Sequence, residues 1–168
     1  MKFVRETTIN KPIQEVWDVL GNQFTDAYKW ASSLNHSQGF GKPTIEGATC
    51  SNRACDIKGM GKIKEAIRAL DHKNHILSYE VIEGFPSFVK SGINTWTLKA
   101  NGNLTHLHMR CEIVLKGFVG AVMSPMMKMQ MNGIFNESVE EFKYYIEHNG
   151  TPHPRKVKAI QKLAKKAA

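Results

Sequence analysis

At 168 residues, with 42% apolar and 9% aromatic content, the chain suits one globular domain whose core needs no disulfide staples. Its net charge of +8 is concentrated at one end: residues 151–168 hold six lysines and arginines and no acid, leaving +2 for the body and little electrostatic reason for that body to bind nucleic acid. Arg5 and Glu6 break the first apolar run and no later stretch approaches ~20 apolar residues, so neither a signal peptide nor a membrane span is expected, and three cysteines without framework spacing predict reduced thiols and a cytoplasmic location.

Phe3–Ile9 alternates and predicts a first strand. Asn10 and then Pro12 announce a helix, because proline's fixed φ and missing N–H suit the first turn. Ile13, Val16, Trp17 and Leu20 follow at helical spacing, with Gly21 as the stop. Thr25 or Asp26 can cap a second short helix carrying Tyr28, Trp30 and Leu34.

From about His36 the punctuation turns to Gly and Pro, and period-two runs begin. A weak run near Ser37–Thr44 precedes Ser51–Ile57, Gly61–Asp71, His75–Glu83, Phe88–Ala100 and Leu104–Lys116. The breaks are turn-formers: Gly59-Met60-Gly61, Asp71–Asn74, Gly84-Phe85-Pro86 and Asn101-Gly102-Asn103. Short links without helical spacers predict an antiparallel meander rather than a parallel sheet. In the last run Leu107, Met109, Cys111, Ile113 and Leu115 share one face, and His106, His108, Arg110 and Glu112 share the other, so one face is covered and one is wet.

A long Met-rich helix is predicted over Ser124–Glu147, about 36 Å long, with Pro125 in its first turn. Met127, Met131, Ile134, Phe135, Ser138, Phe142, Tyr145 and Ile146 trace its apolar stripe. Gly133, placed mid-helix, predicts a close approach to the sheet. Asn149-Gly150 supplies a C-terminal stop, and Pro152 and Pro154 detach the basic tail, giving a domain over 1–149 and a tail over 150–168. One sheet followed by one long helix predicts an α+β fold in which the helix buries its stripe against the sheet's concave face.

This succession resembles the polyketide cyclase/dehydrase and lipid-transport superfamily, the START-like or SRPBCC helix-grip proteins. The resemblance is carried by Lys11–Leu20 (KPIQEVWDVL), by Gly47-Ala48 ahead of Arg53, and by Ile63–Asp71 (IKEAIRALD). It continues through Leu77–Gly84 (LSYEVIEG) and the end of the long helix, covering about residues 2–148. It implies a curved antiparallel sheet wrapped round the C-terminal helix, with a cavity between them for a lipid, isoprenoid or polyketide-like aromatic. It also implies two loops at the mouth, which places Met60, Phe85, Pro86 and Phe88 there.

Facing assignments from period two put Tyr79 and Asn94 inside as the few polar groups of an apolar lining, the usual recipe for small-molecule selectivity. Trp30, Trp96, Met109, Cys111, Met127, Met131 and Phe135 complete the predicted ligand contacts. Plain core packing explains the same methionines, and a Tyr79 hydroxyl satisfied by Asn94 explains that pair without a ligand. Arg53 and Glu65 reach each other on neighbouring strands, either as a structural bridge or, with Tyr79, as the acid–base groups of a cyclase or dehydratase.

No nucleophile, zinc or nucleotide motif is present, so no metal and no cofactor are expected, and an enzymatic activity rests on the resemblance alone. His106 and His108 share their face with Arg110 and Glu112, which predicts a solvated face rather than a metal site. Val157, Ile160 and Leu163 on the cationic tail fit an anionic membrane surface or RNA, or a merely solubilising terminus.

Overall fold

Alternation and turn chemistry resolve into seven strands in the computed structural model, which describes residues 1–167. The strands are β1 (Lys2–Ile9), β2 (Leu34–Phe40), β3 (Asn52–Ile57), β4 (Gly61–Asp71), β5 (Ile76–Glu83), β6 (Val89–Asn101) and β7 (Leu104–Leu115). They form one sheet in the order β1-β7-β6-β5-β4-β3-β2, every neighbouring pair antiparallel. The meander from β2 to β7 runs across the sheet in sequence order, and β1 closes the far edge beside β7. β7 alternates as expected, with Leu107, Met109, Cys111 and Ile113 all buried.

Between β1 and β2 the chain forms a short helix α1 (Ile13–Trp17), a π-helical turn over Asp18–Asn22 and a 3-10 turn over Phe24–Lys29. Pro12 sits immediately before α1 rather than inside it. Gly21 lies where any Cβ would meet the Trp17 ring at 2.6 Å, so the tight π turn and the buried tryptophan require glycine there. Trp17 is anchored by donating its indole N–H to His72 Nδ1 at 3.1 Å, which gives that turn histidine a partner. β2 begins at Leu34, earlier than the weak run near Ser37–Thr44 implies, and ends at Phe40.

Helix α2 spans Gly117–Glu147, seven residues longer at its start than the sequence predicts. Pro125 is therefore inside the helix, where it removes the N–H that would reach the Ala121 carbonyl. The added turns are apolar all round, and Phe118 is 83% exposed, with Val122 and Met129 also open. Gly133 is exposed and no atom approaches its Cβ position, so it provides no close contact with the sheet. The predicted stripe faces inward: Met127, Met131, Phe135, Phe142 and Ile146 are buried.

The tail departs most from expectation. Residues Pro154–Ala167 form helix α3, which packs back on the body instead of standing free. Arg155 Nε donates to Glu141 at 2.9 Å and its Nη2 to Glu140 at 2.7 Å. Lys156 is 2% exposed and donates to the Leu34 carbonyl at 2.7 Å. Ala168, the last residue of the predicted tail, and the Lys166 side chain lie outside the described residues.

Burial pulls the Lys156 ammonium down to about 8, with the charge of Glu141 opposing the shift. Between about pH 8 and the ordinary lysine range near 10.5, the unfolded chain then binds the proton that the folded chain has released, so stability rises with pH across that window. Denaturant titrations of wild type and Lys156→Met at pH 7, 8, 9 and 10 are expected to show the wild type gaining on the variant from pH 8 upward. A pH-independent gap would show that Lys156 is not held in a depressed state. Among the described residues no helix is long and apolar enough to cross a membrane.

Candidate functional site

Antiparallel register brings the inward polar groups into one row. Tyr79 on β5 pairs with Asn94 on β6, and Asn94 pairs with Cys111 on β7. The adjacent row is Leu77, Trp96 and Met109. On the other side of the sheet's curve, Arg53 on β3 stands opposite Glu65 on β4. Bulges between Lys64 and Glu65 and between Ile67 and Ala69 bend β4 beside β5.

Over this concave surface lie the Asp18–Leu34 segment and the middle of α2, and they leave a cavity of about 150 Å³. Tyr79, Asn94, Trp96 and Cys111 line it from the sheet, Met131 and Phe135 from α2, and Trp30 from the short turns. Arg53 and Glu65 reach its wall, and Met60 and Phe85 reach it from the β3–β4 and β5–β6 loops. Two predicted contacts, Met109 and Met127, and two predicted mouth residues, Pro86 and Phe88, are not among the lining. Met109 is fully buried in the row whose Leu77 and Trp96 do line the cavity, Met127 is buried nearer the start of α2, and neither methionine lines the space. Pro86 is exposed, and Phe88 packs on the core beside the start of α2, its carbonyl accepting the Lys116 N–H at 2.8 Å.

The wall contributed by the Asp18–Leu34 segment, chiefly Leu20, Phe24, Ala27 and Leu34, went unpredicted as a lining. Leu20 sits on the π turn and Phe24 and Ala27 on the 3-10 turn, which have no period from which a facing direction can be read, and Leu34 opens β2 where the sequence predicts a short helix. Gly92 on β6 is a further lining residue: a Cβ there would meet the Phe85 ring at 2.6 Å, so glycine lets the mouth residue lie close on the strand.

Arg53 and Glu65 form a buried ion pair, with side chains 5% and 8% exposed. Arg53 Nη2 stands 2.6 Å from Glu65 Oε2 and Nε donates to the same oxygen at 2.8 Å. Nη1 donates to the Phe24 carbonyl at 2.6 Å, and the guanidinium lies over the Phe24 ring with its carbon 3.9 Å from the centroid. Cys55 Sγ adds a contact to Glu65 Oε2 at 3.3 Å. Burial opposes the Arg53 charge, but Glu65 outweighs it and the pKa is raised. Each nitrogen of the guanidinium is engaged inside the protein, so the pair ties the β3–β4 hairpin to the Phe24 turn.

The Tyr79 hydroxyl accepts the Asn94 Nδ2–H at 2.9 Å and the Trp96 indole N–H at 3.4 Å. Burial, reinforced by the negative charge of Glu65, pushes the phenol up to about 12. It remains neutral across physiological pH and keeps its proton instead of serving as a base. Burial likewise pushes the Cys55 and Cys111 thiols up to about 12, which leaves them unreactive. The remaining group is Asn94: 9% exposed, it lines the cavity, and its Oδ1 is buried without a hydrogen-bond partner among the described residues.

Several solved structures share this architecture. TTHA0849 from Thermus thermophilus superposes with a TM-score of 0.68 at 13% identity, covering 90% of this chain and 100% of its own. XoxI from Bacillus cereus gives 0.66 at 15% identity, covering 86% and 94%, and a START superfamily protein from Mycobacterium smegmatis gives 0.65 at 10%, covering 88% and 95%. At these identities the likeness establishes the fold alone. No curated protein matches the chain by sequence. A family profile described as polyketide cyclase/dehydrase and lipid transport matches residues 1–147, the sheet and α2 together, and the chain belongs to that family.

Proposed function

We propose that the chain binds one small apolar molecule in the cavity between its sheet and α2. The observation that carries this reading is the space itself. About 150 Å³, walled by Trp30, Trp96, Met131 and Phe135, remains between the sheet and α2. A cavity of that size and character admits a guest of about one aromatic ring. Single-ring isoprenoids and aromatics match the space in size.

Binding is favoured over cyclase or dehydratase chemistry by the state of the candidate groups. Arg53 and Glu65 neutralise each other, and Tyr79 holds its proton too tightly to serve as a base. The outward face of α3, where Lys158, Lys162, Val157 and Ile160 are exposed, supports a separate contact with an anionic membrane surface or RNA. Three buried free thiols fit a reducing, cytoplasmic setting.

Tryptophan fluorescence provides the test, because Trp30 and Trp96 both face the space. Titration with p-cymene, a single-ring hydrocarbon of ten heavy atoms, is expected to give a saturable change. Ser138→Phe, which places a ring in the cavity from α2, is expected to abolish that change while the protein stays folded. An unchanged response in the filled variant, or none in the wild type, would remove the cavity as the binding site.

A further inference from the structure

Asn94 stands on the central row of the sheet, more than nine-tenths buried, with one half of its amide committed and the other idle. Its Nδ2 is spent on the Tyr79 oxygen, while Oδ1 is buried without a donor among the described residues, on a side chain that lines the cavity. Native interiors rarely tolerate such an acceptor, because leaving it unpaired forfeits the hydration it had in the unfolded chain. Tyr79 is in the complementary state. Its oxygen already accepts two N–H groups, and its own O–H proton has no recorded acceptor among the described residues. Both residues line the cavity, and between them one acceptor and one donor are left without a partner among the described residues.

One functional group satisfies both. A neutral hydroxyl donates its proton to Asn94 Oδ1 and accepts the Tyr79 proton on its oxygen. A hydrocarbon leaves both unmet. A carboxylate has no proton for Oδ1, and the nearest cation, Arg53, is already committed to Glu65, whose negative charge borders the same cavity. Resting on the apolar-guest reading above, we infer that Asn94 and Tyr79 form a hydroxyl-recognition subsite. The guest is then a neutral alcohol or phenol on a single-ring apolar body, with its oxygen against the sheet and its hydrocarbon against Trp30, Met131 and Phe135.

Matched probes test this without knowledge of the natural guest. 4-Isopropylphenol and p-cymene have the same shape and heavy-atom count and differ in a hydroxyl against a methyl. The wild type is expected to bind the phenol roughly 10-fold or more tightly, the scale set by one buried polar group gaining or lacking its partner. 4-Isopropylbenzoate is expected to bind at least about 10-fold more weakly than the phenol, because its charge must be desolvated beside Glu65. Asn94→Leu, which keeps the side chain's shape, is expected to erase the preference for the phenol, read as the ratio of phenol to p-cymene affinity within the same variant.

Equal affinities for the phenol and p-cymene in the wild type, the outcome if solvent alone satisfies Oδ1, overturn the subsite while leaving the cavity as an apolar site. A preference that survives Asn94→Leu overturns the role of Asn94. Tighter binding of the benzoate overturns the neutral-guest assignment. Binding of none of the three overturns the subsite and the binding reading together. The wild-type comparison decides the question even where the variant fails to fold.

Discussion

Replacing Glu65 with leucine is expected to cost about 3–5 kcal/mol, the largest loss from any single polar substitution in this chain. The change does not merely delete a contact. It leaves the Arg53 guanidinium, 5% exposed, facing the Phe24 ring and carbonyl with its counter-charge gone. Arginine cannot shed its proton to escape, because its pKa lies above 12 even unperturbed. The remedy is to remove both charges. The pair Arg53→Met with Glu65→Leu places apolar groups of similar volume in the wall, and such replacements are often neutral or stabilising. The double variant is therefore expected to recover most of what the single one loses, with a coupling energy of several kcal/mol in a double-mutant cycle. Urea denaturation with fitted midpoints and slopes measures it. A Glu65→Leu loss below about 1 kcal/mol would mean that water reaches the guanidinium and that the pair is not a buried strut. The same comparison bears on function: a double variant that folds but still turns over a substrate would leave the acid–base reading of this pair without support.

Legibility in the sequence followed the physics of each element. β4 to β7 were readable because residues such as Leu107 to Ile113 alternate against a solvated face and are separated by turns that need glycine or asparagine. Once register followed from those turns, Tyr79, Asn94 and Cys111 fell on one row, and their place beside the cavity could be foreseen. Met109 shares their face, yet it lies outside the cavity. Which part of a concave sheet stays uncovered is decided by where α2 and the Asp18–Leu34 turns settle, and those contacts are long-range. The early start of α2 was hidden for a local reason. Gly117–Met123 is apolar on every side and has no capping side chain, whereas Pro125 imitates a first turn. The docking of α3 was invisible because a lysine and an arginine in a basic run read as solvated. Only the fold places Glu141, 1% exposed at its side chain, where Arg155 can reach it and Lys156 must be buried nearby.

Phe142→Ala is expected to cost about 3–5 kcal/mol, the usual loss for a buried phenylalanine whose surroundings relax only in part. Phe142 is 0% exposed on the inner stripe of α2, packing edge-on against Trp30 at 5.0 Å and Trp96 at 5.8 Å between ring centroids. At ~2–4 °C per kcal/mol for a chain of this size, the melting temperature is expected to fall by roughly 10 °C. The two tryptophans it supports line the guest cavity, whereas Phe142 itself does not. Removing it therefore opens space behind the lining without touching Asn94 or Tyr79. If the rings hold their places, the void stays separate, and the phenol-over-cymene preference persists at the reduced stability. If they tilt into the void, the cavity enlarges and a two-ring hydrocarbon such as naphthalene gains affinity relative to p-cymene. Thermal denaturation combined with those three titrations distinguishes the two responses. A melting temperature within about 2 °C of wild type would mean that the ring cluster is not tightly packed, and the rigid lining on which guest size depends would have to be abandoned.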